Sequence, residues 1–297
     1  MKAPIYITLI LFLISCNKER KILVFQSDFG LKDGAVAAMK GVATTVSNDL
    51  QIYDLTHEIQ AFNIGEAAYR LNQAASYWPA GTVFVSVVDP GVGSARKSIV
   101  MKTKTGHYFV TPDNGTLTLI AESMGIDEVR EIDETVNRLK GSVESYTFHG
   151  RDVYAYTGAR LASHSITFEQ VGKVLEGDIV RLPDMIATIT GDLINGNIPV
   201  LDIQYGNVWT NIDKAALEKI GVVGQDSLKV EIYFNDEKKF DDVILLGNTF
   251  SDVPLGSEVA YMNSLLNLSF GVNQGSFAER YGIKSGAGWK VVVQKKN

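Results

Sequence analysis

The sequence predicts an α/β fold, with an N-terminal layered domain built on a mostly parallel sheet and a smaller all-β, barrel-like C-terminal domain. Three observations predict it. From Ile22 onward, short apolar runs alternate with segments of helical period. One of those runs, "TVFVSVV" at 82–88, is apolar almost throughout, the pattern of a strand covered on both faces. Beyond about residue 185 helical periodicity nearly disappears, and the apolar runs are separated by Gly, Asn and Asp turns.

The composition allows this division. The chain has 297 residues, 45% hydrophobic and 21% charged, enough for one large domain or two ordinary ones with a real core. The net charge of −6, without any block of like charge, argues against nucleic acid as the main partner.

Taken in order, the first segment stands apart from the fold. "MKAPIYITLILFLISC" places a basic residue, Lys2, before an apolar run from Ile5 to Ile14 that is too short to span a bilayer but suits a secretory signal. Its end, "LISC", resembles a bacterial lipobox, which makes Cys16, the only cysteine, the expected lipidation site. The alternative is an uncleaved membrane anchor. On the lipoprotein reading residues 1–16 are signal and lipobox, and 17–21 are a polar tether. The protein would then sit in the bacterial cell envelope, outside the cytoplasm, held to a membrane by lipid.

The N-terminal domain is expected over 22–184. "ILVFQ" (22–26) reads as a buried strand and "SDFGLKDG" as the loop after it. "AVAAMKGVATTV" (35–46) carries Val36, Met39, Ala43 and Val46 at helical spacing. "QIYDL" is a second strand. A second helix over 63–78 presents Ile64, Ala67, Ala68, Leu71 and Ala75 on one face, and "TVFVSVV" is the third strand. In such sheets ligands bind beyond the strands' carboxyl ends, so "SDFG", "DPGVGSAR" and "TPDNGT" are the loops to search. For the C-terminal domain, 185–297, strands are expected in "MIATITGDLINGNIPVLDI", "LKVEIYF", "DVILLG", "EVAYM" and "WKVVVQ".

Several loop residues invite a chemical reading. Asp89 and Arg96 share one glycine-bearing turn. An arginine keeps an aspartate ionised, and bare backbone N–H groups nearby accept anions; the alternative is a loop-stabilising ion pair. His149, just before Gly150 and a helix expected from near Asp152, lies where a helix N-terminus favours the neutral imidazole. His57, His107 and His164 read as structural. Asp28, directly after the first strand, suits two ribose hydroxyls or a turn, and Asp33 suits a helix cap. In "LDIQYGNVWTNI" (201–212), Tyr205, Asn207 and Trp209 combine an aromatic face with an amide, as a purine requires or as a β-turn packs.

Together, "SDFGLKD", "VVDPGVGSAR", "TPDNGTLT", "TFHGRD", "YGNVWTNI" and "NSLLNLSFGVNQGSFA" resemble the S-adenosylmethionine hydrolases (adenosine-forming), or hydroxide adenosyltransferases, relatives of the fluorinases and chlorinases. The resemblance implies hydrolysis of S-adenosylmethionine to adenosine and methionine, with Asp89, Arg96 and His149 holding the attacking water. The halogenating relatives carry tyrosine at the position of Asp89 and serine at that of Gly150. For the rest of the pocket it implies Asp28 on the ribose and Phe62 as the aromatic wall beside the sugar. Tyr205 and Asn207 would take the adenine, with backbone near Val272 and Gln274, and Asp33, Asp202 and Ser264 the methionine end. It also implies a homotrimer with pockets between the N-terminal domain of one subunit and the C-terminal domain of the next, and neither metal nor redox cofactor. Three other readings remain: an anchored protein that binds adenosyl compounds without turnover, halide transfer, and a metallohydrolase using Asp28, Asp89, Asp113 and His149. The last lacks a ligand-spacing motif and places Arg96 awkwardly beside the metal.

Overall fold

A computed structural model of the chain describes residues 20–296. Cys16 and the whole expected signal segment therefore lie outside the described residues, as does most of the expected tether.

The N-terminal part is a six-stranded sheet with helices on both faces. Its strands are β1 (Ile22–Ser27), β2 (Gln51–Thr56), β3 (Val83–Val87), β4 (Ser98–Thr103), β5 (Tyr108–Pro112) and β6 (Ile126–Glu131), in spatial order β2-β1-β3-β5-β4-β6. On one face α1 (Ala35–Val46) and α5 (Tyr156–Ala162) pack over Leu23, Phe25, Val85 and Val110. On the other, α2 (Ile64–Ala75) and α3 (Thr118–Met124) bury Leu71, Ile120 and Met124 against Ile22, Val24 and Phe84. β3 is buried along its whole length, as an apolar run needs when both faces are covered.

Local signals set the helix ends. The Asp33 carboxylate accepts the Ala35 N–H at 2.8 Å at the start of α1, and Asn63 Oδ1 accepts Glu66 N–H at 3.0 Å at the start of α2. A short helix, α4 (Glu134–Asn137), precedes the loop that leads to His149.

The expectation of a mostly parallel sheet needs correction, because the sheet is mixed. β1–β2, β1–β3 and β3–β5 pair in parallel, whereas β4–β5 and β4–β6 are antiparallel. The reason is local: β4 and β5 are joined by a tight turn through Gly106 (φ 82°), and so short a connection permits only an antiparallel pair.

The C-terminal part holds two antiparallel sheets facing one core. Its strands are β7 (Thr188–Thr190), β8 (Leu193–Asn197), β9 (Val200–Asp202), β10 (Asn207–Asp213), β11 (Ser227–Phe234), β12 (Glu237–Leu245), β13 (Glu258–Met262), β14 (Asn267–Val272) and β15 (Trp289–Lys295). They form one sheet ordered β13-β14-β10-β9 and another ordered β12-β11-β15-β8-β7. Val208, Phe270, Val230 and Val293, from both sheets, share the core with Phe277 of α7 (Phe277–Tyr281). The barrel-like expectation is thus replaced by an open sandwich. At one seam a single backbone bridge, Leu246 to Ala260, links the sheets; at the other, the edge strands β9 and β7 are only three residues long. Two short helices, α6 (Lys214–Lys219) and α7, escape a periodicity reading because neither completes two turns. Among the described residues no helix is long and apolar enough to cross a membrane.

Candidate active site

Because β1, β3 and β5 are parallel, their carboxyl ends lie at one edge of the sheet, and the loops after them carry Asp28, Asp89 and Asp113. The Asn114 amide donates to the Val88 carbonyl at 2.8 Å, tying the third loop to the residue before Asp89. Asp113 itself accepts the Val180 N–H at 2.8 Å.

The turn after β3 folds back on itself, with Val92 N–H donating to the Asp89 carbonyl and Ser94 N–H to that of Gly91. Arg96 Nη2 consequently meets Asp89 Oδ2 at 2.5 Å, with the two side chains only 12% and 5% exposed. The guanidinium is fixed twice more: Nη1 donates to the Lys97 carbonyl and to the buried Tyr154 hydroxyl, each at 2.8 Å. Tyr154 is in turn 3.1 Å from Ser98 Oγ. After these contacts, two buried atoms have no hydrogen-bond partner, Asp89 Oδ1 and Arg96 Nε. Both lie 3.9 Å from the point where a Cβ on Gly91 would stand.

His149 arrives from the other side of the chain. The helix after it starts earlier than expected, as a π-helical turn at Gly150–Ala155 that runs into α5. Turns of this kind are rare and recur at functional sites. A Cβ on Gly150 would stand 3.1 Å from two ring atoms of Phe29 and 3.3 Å from Val87 Cγ1. The missing side chain therefore lets the backbone beside His149 press onto the end of β3. The imidazole Nε2 is 3.0 Å from Arg138 Nη2, whereas Nδ1 is buried without a partner.

Electrostatics set the protonation states. Burial raises the Asp89 carboxyl above its ordinary value, against the opposing pull of Arg96, the Gly91 amide and His149. Burial likewise lowers His149, aided by Arg138 and Arg96 and opposed by Glu134 and Asp89. The imidazole is therefore neutral at neutral pH. Asp89 and His149 each perturb the other's charge, so they occupy one electrostatic environment.

Among the remaining N-terminal candidates, Asp28 and Phe62 come together: Asp28 Oδ2 accepts the Phe62 N–H at 2.9 Å. Phe62 adopts a left-handed backbone (φ 70°), unusual for a bulky residue, and is 70% exposed. Asp33 is exposed and, one residue before the N-cap Gly34, accepts the Ala35 N–H. Ser27 Oγ, His57 and Asp54 form a relay, Oγ to Nδ1 at 2.7 Å and Nε2 to Asp54 Oδ1 at 3.0 Å. It resembles a nucleophile–base pair, but Ser27 is fully buried and also accepts the Phe29 N–H, so the relay braces the loop of Asp28. His107 is bonded at both ring nitrogens, by Thr105 Oγ1 and the Trp78 carbonyl.

The C-terminal candidates converge elsewhere. Asp202, Tyr205, Asn207, Ser264, Val272 and Gln274 all line one open cavity of about 1160 Å³. Asn207 Nδ2 donates to Asp202 Oδ2 at 3.1 Å, and Trp209 Nε1 to the Tyr261 hydroxyl at 3.1 Å, closing the polar side of the wall. Tyr205 sits in the turn between β9 and β10 and is 68% exposed. None of the N-terminal candidates lines this cavity. Within one chain the C-terminal candidates thus share a cavity that the N-terminal ones do not line, and Asp33 stands apart at the start of α1. Among the described residues no three His, Cys, Asp or Glu side chains are grouped to hold a metal ion.

Comparison with known proteins gives this arrangement its context. The sequence model of the SAM hydroxide adenosyltransferase N-terminal domain matches residues 23–172, and that of the C-terminal domain matches 196–290. The chain belongs to the SAM hydroxide adenosyltransferase family. It is 41% identical over 197 residues to an (R)-S-adenosyl-L-methionine hydrolase of Methanocaldococcus jannaschii, covering 65% of this chain and 67% of the relative. A fluorinase of Actinopolyspora mzabensis is 29% identical over 304 residues, covering 94% and 99%. A crystal structure of an uncharacterized conserved protein from Thermotoga maritima superposes with a TM-score of 0.80 at 33% identity, covering 92% of this chain and 99% of that one. In this hydroxide adenosyltransferase family member, three supporting residues escape a reading of the sequence: Tyr154 behind Arg96, Arg138 behind His149, and Tyr261 behind Trp209. Tyr154 alone leaves a trace, five residues after His149 on the same helical run.

Proposed function

We propose that the protein hydrolyses S-adenosyl-L-methionine to adenosine and L-methionine by in-line attack of water at C5′. The observation that carries this reading is the trio of buried, unpartnered polar atoms, Asp89 Oδ1, Arg96 Nε and His149 Nδ1. Buried polar atoms are nearly always satisfied, so these three, on groups that feel one another's charge, call for a polar occupant. In this reading one water bonds all three. The sulfonium leaves as neutral methionine and needs no general acid, so a base and two orienting groups are sufficient chemistry. A positioned base contributes about 10²–10⁴-fold, and alignment of oxygen with carbon adds to it.

In this reading Asp28 binds the ribose hydroxyls and Phe62 covers the sugar. Tyr205 and Asn207 bind adenine beside Val272 and Gln274, and Asp33, Asp202 and Ser264 hold the methionine end. The two groups of residues join across a homotrimer, residues 22–184 of one subunit meeting residues 185–297 of the next. The open cavity and the uncovered rings of Phe62 and Tyr205 support that arrangement. Residues 1–16 carry the signal and lipobox, 17–21 the tether, and lipidated Cys16 anchors the protein in the cell envelope.

Halide transfer, the chemistry of the fluorinase relatives, is the second reading. Two features favour water over it. Asp89 stands where the halogenating proteins have tyrosine, and the space a serine would need at Gly150 is filled by Phe29 at 3.1 Å. The test is direct. Purified protein incubated with S-adenosylmethionine should release adenosine and methionine, and chloride should yield no 5′-halo product. Asp89→Ala should abolish release. Tight binding without adenosine release would replace the enzyme with a binding protein.

A further inference from the structure

We propose that His149 serves the reaction as a fixed hydrogen-bond donor through Nδ1, held in that tautomer by Arg138, and that Asp89 alone takes the water's proton. The inference rests on the hydrolytic reading above and divides roles within it.

An arginine side chain has five N–H donors and no acceptor. Arg138 Nη2 lies 3.0 Å from His149 Nε2, so Nε2 must present its lone pair. The proton of the neutral ring then sits on Nδ1. Arg138 has no freedom to withdraw: Nη2 and Nε bond Glu134 Oε2 at 3.0 and 3.2 Å, and Nη1 reaches the Ser142 and Ser145 carbonyls at 3.4 Å each. Its side chain is only 13% exposed. The charged groups facing the imidazole are Glu134 and Arg138 beside Nε2, with Arg96 and Asp89 across the site. Arg138 bonds Glu134, Ser142, Ser145 and His149 and acts through the imidazole, so it is a positioning residue.

The three unpartnered atoms then comprise one acceptor, Asp89 Oδ1, and two donors, Arg96 Nε–H and His149 Nδ1–H. A water among them passes one proton to Oδ1 as its O–H bond breaks. The resulting hydroxide oxygen has three lone pairs. Two accept from Nε–H and Nδ1–H; the third forms the bond to C5′. The C5′–S electron pair departs to sulfur, giving neutral methionine, and the proton on Asp89 later passes to solvent. With Nδ1 bare instead, two bases would compete for one proton and a single donor would hold the hydroxide.

The tautomer is read from the nitrogen-15 solid-state spectrum of histidine-labelled protein at pH 8, with His149→Gln identifying the signals of this ring. The expected result is a protonated Nδ1 and a bare Nε2; the opposite pattern in active enzyme would overturn the proposal while leaving hydrolysis intact. Kinetics supply a second arm. His149→Asn, whose amide N–H stands in for Nδ1–H, should retain roughly 10-fold more kcat than His149→Ala, as a donor role requires; equal loss in both would refute it. Arg138→Met should lower kcat roughly 10–100-fold, the range for an orienting partner, with KM nearly unchanged. The acid limb of the rate profile, set by Asp89, should stay in place, because a ring protonated at Nε2 still donates through Nδ1, and Arg138→Lys should restore most of the rate. An undiminished kcat in Arg138→Met, or a loss that Arg138→Lys fails to restore, would count against the lock. Absence of adenosine release from the unmodified protein would instead sink the hydrolytic reading itself.

Discussion

Gly91→Ala separates folding from chemistry at this site. The Gly91 backbone lies outside the left-handed region, and an added Cβ would meet nothing closer than Ser94 Oγ at 3.5 Å. Such a replacement needs no rearrangement, and the stiffer unfolded chain stabilises the fold by about 0.4–1 kcal/mol. At roughly 2–4 °C per kcal/mol for chains of comparable size, Tm should rise by a degree or more. The same methyl carbon stands 3.9 Å from both Asp89 Oδ1 and Arg96 Nε. A water bonded to both atoms at ~2.9 Å on the side facing Gly91 would come into van der Waals contact with that methyl, so there the two compete. Loss of an aligned water acting with its base is worth about 10²–10⁴-fold, and kcat should fall by at least the lower figure. The assay is adenosine release followed by chromatography, paired with thermal unfolding of the same preparation. Undiminished kcat in a folded Gly91→Ala protein would mean that the unpartnered atoms do not hold the reacting water.

Other outcomes follow from the same geometry. Burial raises Asp89 above its ordinary carboxylate value, and Asp89 must be ionised to take the water's proton, whereas His149 donates through Nδ1 whether or not Nε2 is protonated. kcat/KM should therefore fall on the acid side as Asp89 protonates, with that limb lying above the ordinary carboxylate value; a limb at or below that value would contradict the burial argument. Gly150→Ser should destabilise by about 1–3 kcal/mol, because Phe29 and Val87 must yield to the new side chain, and should lower kcat as His149 shifts; unchanged Tm and rate would refute the close packing. Asn207→Ala should raise KM for substrate and weaken adenosine binding while leaving kcat within a few-fold, as expected for a contact made equally before and during reaction. A loss confined to kcat would remove Asn207 from the adenine site.

Much of the N-terminal fold is legible in the sequence because its signals are local. The periodicity of Val36, Met39 and Ala43 marks α1 at its observed bounds, 35–46, although the N-cap is Gly34 and the expected cap, Asp33, lies one residue before it. The uniform apolarity of β3 marks the centre of the sheet. Strand direction is not carried by composition, so the antiparallel β4–β5 hairpin passes unseen, and with it the mixed character of the sheet. Whether nine short strands close into a barrel depends on the pairing at two seams, which no single run encodes. At the site, Asp89 and Arg96 are legible as a pair because one turn joins them. Their supports are not: Tyr154 is 58 residues from Arg96 in sequence. Arg138 reaches His149 across an irregular loop with no period to betray it.

The central claim is that water, placed by Asp89, Arg96 and His149, attacks C5′ of the adenosyl group. Turnover in water enriched in oxygen-18, followed by mass spectrometry of both products, tests it most directly. One heavy oxygen should appear in the 5′-hydroxyl of adenosine and none in methionine. Heavy oxygen in methionine, or adenosine formed without it, would contradict the account.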